Sequence, residues 1–405
     1  MLYLIVILFI LFGIYRYDYR QVEKGKLLYW SLLLIMLICI AGFRYRMGVD
    51  SIVYEVYYTH KTNPLSHLKA IDFSESRFAP AFVLLMSLCK SITDDFMLLQ
   101  FVVATIVNCS IFYFFWKNTR HIFFAALLYF FILYFNLNME VLREAIAVSI
   151  FLLSWPFFRD GKWLWYYLFA LFAFSWHVSA AFLFLLPLTQ IPGINWLFRF
   201  NIRTFVIGGI LLGLSLVVMQ QFYTLMQYLS LNDSMAERAQ AYSNNSLGGA
   251  RFNIFGIISQ IIKYVLYPSL AMYFLNKNPE TLESNDMRKK ENLSVANIYI
   301  SLMSAGLYIL VRYNNYLLFF SIILISDWLF SVIRFNLQKI RLNPAIWAAI
   351  FLPLFITVFS TFYMAGANKE GTLKTYMMYY PYTDGFNKEL VAEREKIILI
   401  FRRGI

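Results

Sequence analysis

Residues 96–116 read FMLLQFVVATIVNCSIFYFFW, 21 consecutive positions without a charged side chain. At about 1.5 Å per residue, a helix of that length covers roughly 30 Å, the thickness of a bilayer's hydrocarbon. A helix also satisfies its backbone N–H and C=O groups within one segment, as lipid demands. Similar runs occur at Leu2–Tyr15, Leu27–Phe43, His121–Leu137, Leu142–Phe158, Thr204–Gln220, Asn253–Leu275, Ser294–Val311, Asn314–Ile333 and Asn343–Tyr363. Of the 405 residues 60% are hydrophobic and 14% charged, against about 45–50% and about 25% in soluble domains. That excludes a water-soluble globule, a disordered chain and a disulfide-stapled secreted domain. The sequence predicts an all-α, polytopic integral membrane protein with about 11–13 transmembrane helices.

Two stretches break the pattern. The clean apolar part of Phe78–Ile92 runs only to Cys89, contains Pro80 and is followed by Lys90. Apolar segments of about 10–14 residues are commonly re-entrant or interfacial, so this one is expected not to span. Trp163–Pro187 is interrupted at Ser175-Trp176-His177, which predicts a tight helical hairpin. The first run has no basic segment before it and no small-x-small cleavage site after it, and reads as an uncleaved helix. A single transmembrane domain is expected over 1–363, with external loops at 44–77 and 221–252, then a C-terminal tail at 364–405.

Charge orients the helices. The net charge is +12, from 35 Lys or Arg and 23 Asp or Glu. In so apolar a chain the excess points to cytoplasmic loops and anionic headgroups before nucleic acid. With the basic cluster 16–26 placed inside, the cytoplasmic loops carry 17 Lys or Arg, and the longer external stretches (44–77, 138–143, 221–252 and Arg312) carry 9. The bias supports this orientation. The tail carries 7 basic residues and falls outside by the same count, against the rule. Either a span is miscounted near the C-terminus or the tail folds onto the outer surface. Cys39, Cys89 and Cys109 lie in apolar runs without metal spacing, and no nucleotide-binding glycine motif or internal repeat is found.

The unusual polar residues then fall on the external side. They are Arg46, Asp50 and Tyr54 after the second run, Glu140, Arg143 and Glu144 at the start of the fifth span, His177 at the hairpin break, and Arg312-Tyr313 between two spans. Each has a bland explanation. Arg46 and Asp50 suit a surface ion pair, and His177 suits a hydrogen-bonded interior. Arg312 suits snorkelling to headgroups. Acids at a helix N-terminus satisfy the macrodipole, which accounts for Glu140 and Glu144 but not Arg143. Their convergence on one face is the stronger signal, because ionisable groups at membrane depth are costly.

Taken in order, these residues resemble the EpsG-like family of polysaccharide polymerases, relatives of the Wzy O-antigen polymerases. The resemblance is carried by Arg46-x-Gly48-x-Asp50-x3-Tyr54, Leu142-Arg143-x-Ala145-Ile146-Ala147 and Phe174-x2-His177-x-Ser179-Ala180 with Leu186-Pro187, then Arg312-Tyr313 and Tyr380-Pro381-Tyr382. Glu144 departs from it, standing where the family's Arg-Gln pair has glutamine.

The resemblance implies a GT-C-like membrane glycosyltransferase, related also to O-antigen ligases. It would sit in the bacterial inner (cytoplasmic) membrane with its site facing the periplasm or exterior. Its implied substrates are an undecaprenyl-diphosphate-linked glycan donor and acceptor, with a chain-length regulator as a further partner and no nucleic acid. Arg46, Arg143 and Arg312 would cradle the leaving diphosphate, which guanidinium groups bind bidentately. His177, Asp50 and Glu140 are rival bases for the acceptor hydroxyl, and Tyr54 and Tyr313 offer flat faces and hydroxyls to sugars. No cofactor is expected, and no metal, since the first external loop has no DxD or ExD motif. A lipid-linked oligosaccharide flippase and a ligase are the competing readings. Separately, Lys263 and Asp327 lie at similar depths in two spans and are expected to pair or share a polar cavity.

Overall fold

The computed structural model of the protein describes residues 1–70, 78–228, 254–277, 285–338, 355, 358–359, 362–363 and 374–403. Among these, every regular element is helical, and the one pairing of extended backbone is an isolated bridge between Arg44 and Asp384. Leu2–Tyr19, Phe96–Asn118, Ile202–Met219 and Tyr308–Val332 are long and apolar enough to cross a membrane. Shorter apolar helices stand at Lys26–Gly42, Pro80–Lys90, Ile122–Tyr134, Trp163–Phe174 and Val178–Gln190. The protein is an all-α polytopic membrane protein, with several runs divided by breaks and wide turns. The expected span 343–363 and most of loop 221–252 lie outside the described residues.

The chain divides into two compact units, Met1–Leu186 with Tyr376–Ile398, and Pro187–Thr375 with Leu399–Ile405. The division does not follow the expected boundary at 363. Residues 376–398, read from the sequence as tail, group with the N-terminal half.

The first unit holds α1 (Leu2–Gly13), α2 (Lys26–Gly42), α3 (Val49–Lys61), α4 (Pro80–Lys90), α5 (Phe96–Asn118), α6 (Ile122–Tyr129), α7 (Leu142–Arg159) and α8 (Trp163–Phe174). α1 is apolar all round: Val6 and Ile10 are buried, while Leu4, Leu8 and Phe12 face outward, the pattern of a lipid-exposed helix. α2 lies against α5, and α7 packs on both α5 and α8. The α2–α5 approach is close: a Cβ at Gly42 would stand 2.9 Å from Phe101 Cα. α6 continues through two wide π turns, Phe130–Tyr134 and Asn136–Glu140.

A buried polar ring joins α5 to that widened segment. Asn108 Nδ2 donates to Asn138 Oδ1 at 2.6 Å, Asn138 Nδ2 to Tyr129 Oη at 2.8 Å, and Tyr129 O–H to Asn108 Oδ1 at 3.1 Å. Each member satisfies the others, which is how polar groups persist in an apolar interior. Asn138→Leu is therefore expected to cost about 1–2 kcal/mol, in the range of polar contacts between membrane helices. The double variant Asn108→Leu/Asn138→Leu should lose less than the sum of the singles. Thermal unfolding in detergent measures this, and strict additivity would show that the ring is not a coupled unit.

Both irregular stretches follow the sequence reading. α4 has 11 residues, about 16 Å of helix, too short to cross alone. At its start Ala81 N–H donates to Ser175 O at the end of α8, and at its end Lys90 Nζ donates to Thr59 O of α3. α8 ends at Phe174, and the chain returns as a 3-10 segment, Val178–Gln190. Tyr166 O–H donates to Leu183 O at 2.7 Å, and Tyr167 stacks on Phe184, so this is an antiparallel hairpin.

In the second unit α9 (Ile202–Tyr228) and helix Val311–Gln338 both pack on helix Asn285–Met303. Helix Tyr267–Asn276 packs on Val311–Gln338 through Phe274 stacked on Trp328 at 5.6 Å. The expected Lys263–Asp327 pair is not formed. Lys263 sits in the wide turn Ile262–Leu266 with its ammonium 4.6 Å from the centre of the Tyr264 ring. Trp328, one position further along from Asp327, packs on Tyr267 and Phe274.

Candidate active site

Backbone conformation builds the first loop. Arg46 (φ 45°) and Gly48 (φ 90°) both take left-handed geometry. A Cβ on Gly48 would lie 2.6 Å from Met139 O and 3.0 Å from Glu140 Oε1. Glycine thus lets the loop press against the widened end of the α6 segment. Gly48 caps α3 without a side chain, and Glu140 supplies the missing acceptor: Asp50 N–H donates to its Oε2 at 3.1 Å.

Tyr379 O–H donates to the other Glu140 oxygen at 2.8 Å. Glu140 lies beyond the apolar helix Ile122–Tyr134. Burial, reinforced by the Asp50 carboxylate, pushes its carboxyl up to about 7, while hydrogen bonds from Tyr379 and the Asp50 and Val49 backbone pull it down. An acid near neutral pKa suits proton transfer.

Three residues on, in the first turn of α7, the Arg143 guanidinium lies 4.5 Å from the Phe78 ring centre and 5.9 Å from that of Tyr54. Its Nε donates to Tyr54 Oη at 3.4 Å. Phe78 also packs on Tyr57, at 4.5 Å, and on Tyr54, at 5.5 Å. Among the described residues Arg143 makes no ion pair, so this guanidinium is held by aromatic faces and a phenol, with its charge unneutralised.

Arg46 is placed differently. Its Nε is 3.1 Å from Glu55 Oε2 and its Nη1 3.9 Å from Glu395 Oε2. It lines a cavity of about 320 Å³ with Ser51, Glu55 and Thr59 of α3, Asp95 and Lys388. The four-residue spacing of 51, 55 and 59 gives α3 one polar face, while Tyr54 and Tyr57 give it another, toward Arg143. Arg143, Glu140 and His177 do not line the Arg46 cavity, and α3 presents one face to Arg46 and another to Arg143.

His177 is buried at the hairpin break. Ser179 N–H donates to its Nδ1 at 3.1 Å, and the Ser179 hydroxyl lies 2.6 Å from the same nitrogen. The neutral ring therefore carries its proton on Nε2, a donor rather than an acceptor. The Ser175–Ala81 bond ties this turn to the start of α4, next to Phe78. Arg312 and Tyr313 belong to the second unit, in the first turn of Val311–Gln338 with Arg312 exposed. Glu144 is buried within α7.

The segment 376–398 closes the site. Tyr45 N–H donates to Thr383 O at 2.8 Å, and Gly385 N–H to Phe43 O at 2.7 Å. Arg394, 1% exposed, donates to Thr383 Oγ1 at 2.6 Å and to the carbonyl of Pro381, holding the segment in shape. Lys388 pairs with Asp95 at 3.2 Å. The segment, read from the sequence as tail, thus lies against loop 43–50. Sequence reasoning missed Tyr379, Glu395 and Phe78. The first lies one residue before the quoted Tyr380-Pro381-Tyr382, whose Tyr380 is exposed.

Loop 43–50, turn 138–143 and segment 379–385, far apart in sequence, thus meet at one end of the first unit. A family model, the EpsG family, matches residues 27–383, a range that takes in the first two and reaches into the third. The chain belongs to the EpsG family. Membership brings a polysaccharide-polymerase type of function, and with it a membrane setting. The matched range stops at Thr383, inside the closing segment. No curated protein and no solved structure matches the chain.

Proposed function

We propose that this chain polymerises undecaprenyl-diphosphate-linked repeat units into a surface polysaccharide, on the extracytoplasmic face of the bacterial cytoplasmic membrane. The observation that carries the reading is the pairing of an unneutralised Arg143, fixed on Phe78 and Tyr54, with a near-neutral Glu140 three residues away. In the proposed step an acceptor hydroxyl oxygen attacks the donor's anomeric carbon. The bond from that carbon to the diphosphate oxygen breaks, and its electron pair leaves with the diphosphate. Arg143 stabilises the departing charge, and the hydroxyl proton passes to Glu140. One displacement inverts the anomeric centre. His177, a donor through Nε2, serves better as a hydrogen-bond partner for substrate oxygen than as the base. Asp50 holds up the Glu140 pKa, Arg46 organises the polar face of α3, and Arg312 and Tyr313 have no assigned part in this step.

Purified full-length protein supplied with lipid-linked repeat units tests the reading. Products of increasing length are expected. A single transfer to another acceptor would indicate a ligase, and relocation across a vesicle without new bonds a flippase.

Two variants test the base. Glu140 must be ionised to accept a proton, so activity is expected to rise with pH through about 7. Glu140→Gln keeps an oxygen for the Asp50 N–H but cannot take the proton. It is expected to fold and to lose activity by about 10²–10⁴-fold. Tyr379→Phe removes a bond that favours the carboxylate, so the rise should move to higher pH with the plateau largely kept. An unmoved pH profile in Tyr379→Phe would assign the titration to another group.

A further inference from the structure

A second polar cavity, of about 450 Å³, lies in the second unit, within the size range of small-molecule sites. Arg199, Arg288 and Lys289 line it, and so do Asn195, Asn276 and Asn285. Its walls are pinned together. The Glu291 carboxylate accepts from Phe200 N–H at 3.2 Å and from Asn276 Nδ2 at 3.3 Å, and Asn292 Nδ2 donates to Thr189 O at 3.1 Å. Three separate segments thereby share one buried acid. Asn201 shapes the entry to α9, accepting from Arg203 N–H at 2.8 Å.

Counting spans from the basic cluster 16–26 placed inside, stretches 191–203 and 276–293 also read from the sequence as cytoplasmic, and basic residues there are expected from orientation alone. Orientation does not call for a concave site with pinned walls and a ring of amides. Nor does the site belong with Arg312. The cavity sits at the start of helix Asn285–Met303, and Arg312 follows its far end, about 28 Å along the axis for 19 residues.

The residue types define the ligand. Guanidinium and ammonium groups match phosphate oxygens. Amide side chains donate and accept, which suits hydroxyls. Glu291, which accepts from the Phe200 N–H and the Asn276 amide, serves the walls. Burial raises its carboxyl pKa, while Arg288 and Arg199 act in the opposite direction, placing both arginines within electrostatic reach. Among the described residues Arg199 makes no ion pair. We infer that this cavity binds a phosphorylated polyol, with the phosphate on Arg199, Arg288 and Lys289 and the hydroxyls on the surrounding amides. The same chemistry is offered by a phosphoglycerol lipid headgroup and by a soluble phosphate ester. The inference does not depend on the glycosyl-transfer reading.

Two arms of one experiment decide it, using the purified full-length chain. Glycerol 3-phosphate is titrated against protein in detergent by calorimetry. Retention of phosphatidylglycerol over phosphatidylcholine is read by native mass spectrometry after extraction from mixed nanodiscs. Saturable binding is expected in at least one arm. It should weaken by at least about tenfold in Arg199→Gln/Arg288→Gln and persist in Arg199→Lys/Arg288→Lys, where charge remains. Binding in the first arm supports the inference with a soluble ligand, and retention in the second alone supports it with a lipid headgroup. Lys289→Gln, a single change, gives the same reading if the double variant does not fold. No saturable binding in either arm, or wild-type binding in all variants, overturns it.

Discussion

Arg143→Lys is expected to reduce polymerisation by about 10²–10³-fold, the loss found when one preorganised transition-state donor is removed. The charge survives the change, but the geometry does not. The planar guanidinium lies on Phe78 while its Nε donates to Tyr54 Oη. A lysine at the same site has no planar fork and cannot grip a diphosphate bidentately. Tyr54→Phe, which removes only the phenol that aims the Nε, should fall between wild type and Arg143→Lys. Chain length per unit time, measured with enough substrate to saturate binding, ranks the two losses: a smaller one in Tyr54→Phe, where the fork is kept but less well aimed, and a larger one in Arg143→Lys, where the bidentate fork is gone. Near-normal polymer from Arg143→Lys would reduce the arginine to a surface charge.

Gly48→Ala is expected to be the most damaging single methyl addition in the first unit. The residue holds φ 90° and ψ 147°, a conformation essentially reserved for glycine, whose cost for other residues is about 1–3 kcal/mol. The added carbon would also meet Met139 O at 2.6 Å, a backbone atom that cannot swing away. Relief requires the first loop to lift off turn 138–143, which breaks the Asp50–Glu140 bond and uncaps α3. Both thermal stability in detergent and polymerisation should fall sharply. Gly213→Ala is the matched control, a glycine in helix α9 whose Cβ would meet nothing within 4 Å. It should be neutral or slightly stabilising. Equal behaviour of the two variants would mean that the loop has another low-energy seat.

Much of this was legible in the sequence, because lipid leaves a backbone few options. Uninterrupted apolar runs had to be helices, and Phe96–Asn118 matches its run almost residue for residue. The break at Ser175-Trp176-His177 and the shortness of the Pro80 segment were readable for the same reason. So was the clustering of Glu140 and Arg143 with the Gly48-Asp50 loop, since helix ends on one side must share one surface. Three things were not legible. The wide turns at 130–140 leave hydrophobicity unchanged, so no periodicity revealed them. The partners of Arg46, Glu55 and Glu395, lie 9 and 349 positions away, and no local spacing links the second to the loop. Lys263 and Asp327 have similar depths, but depth does not fix rotation about the axis. The 100° between neighbouring helical residues turns Trp328 toward Tyr267 and Phe274.

The seating of Tyr376–Ile398 against the first loop sets an order on biogenesis. Everything that Glu140 and Arg46 need from the N-terminal half has left the ribosome once residue 186 is made, yet Tyr379 and Glu395 have not. The intervening 187–375 must be synthesised first, which takes roughly 10–40 s at bacterial-to-eukaryotic elongation speeds. For that interval the loop lacks its backbone partners at Thr383 and Gly385, and the carboxyl of Glu140 lacks its phenol. The site is therefore incomplete while the chain is being inserted, and its parts are all in place only when the last segment docks.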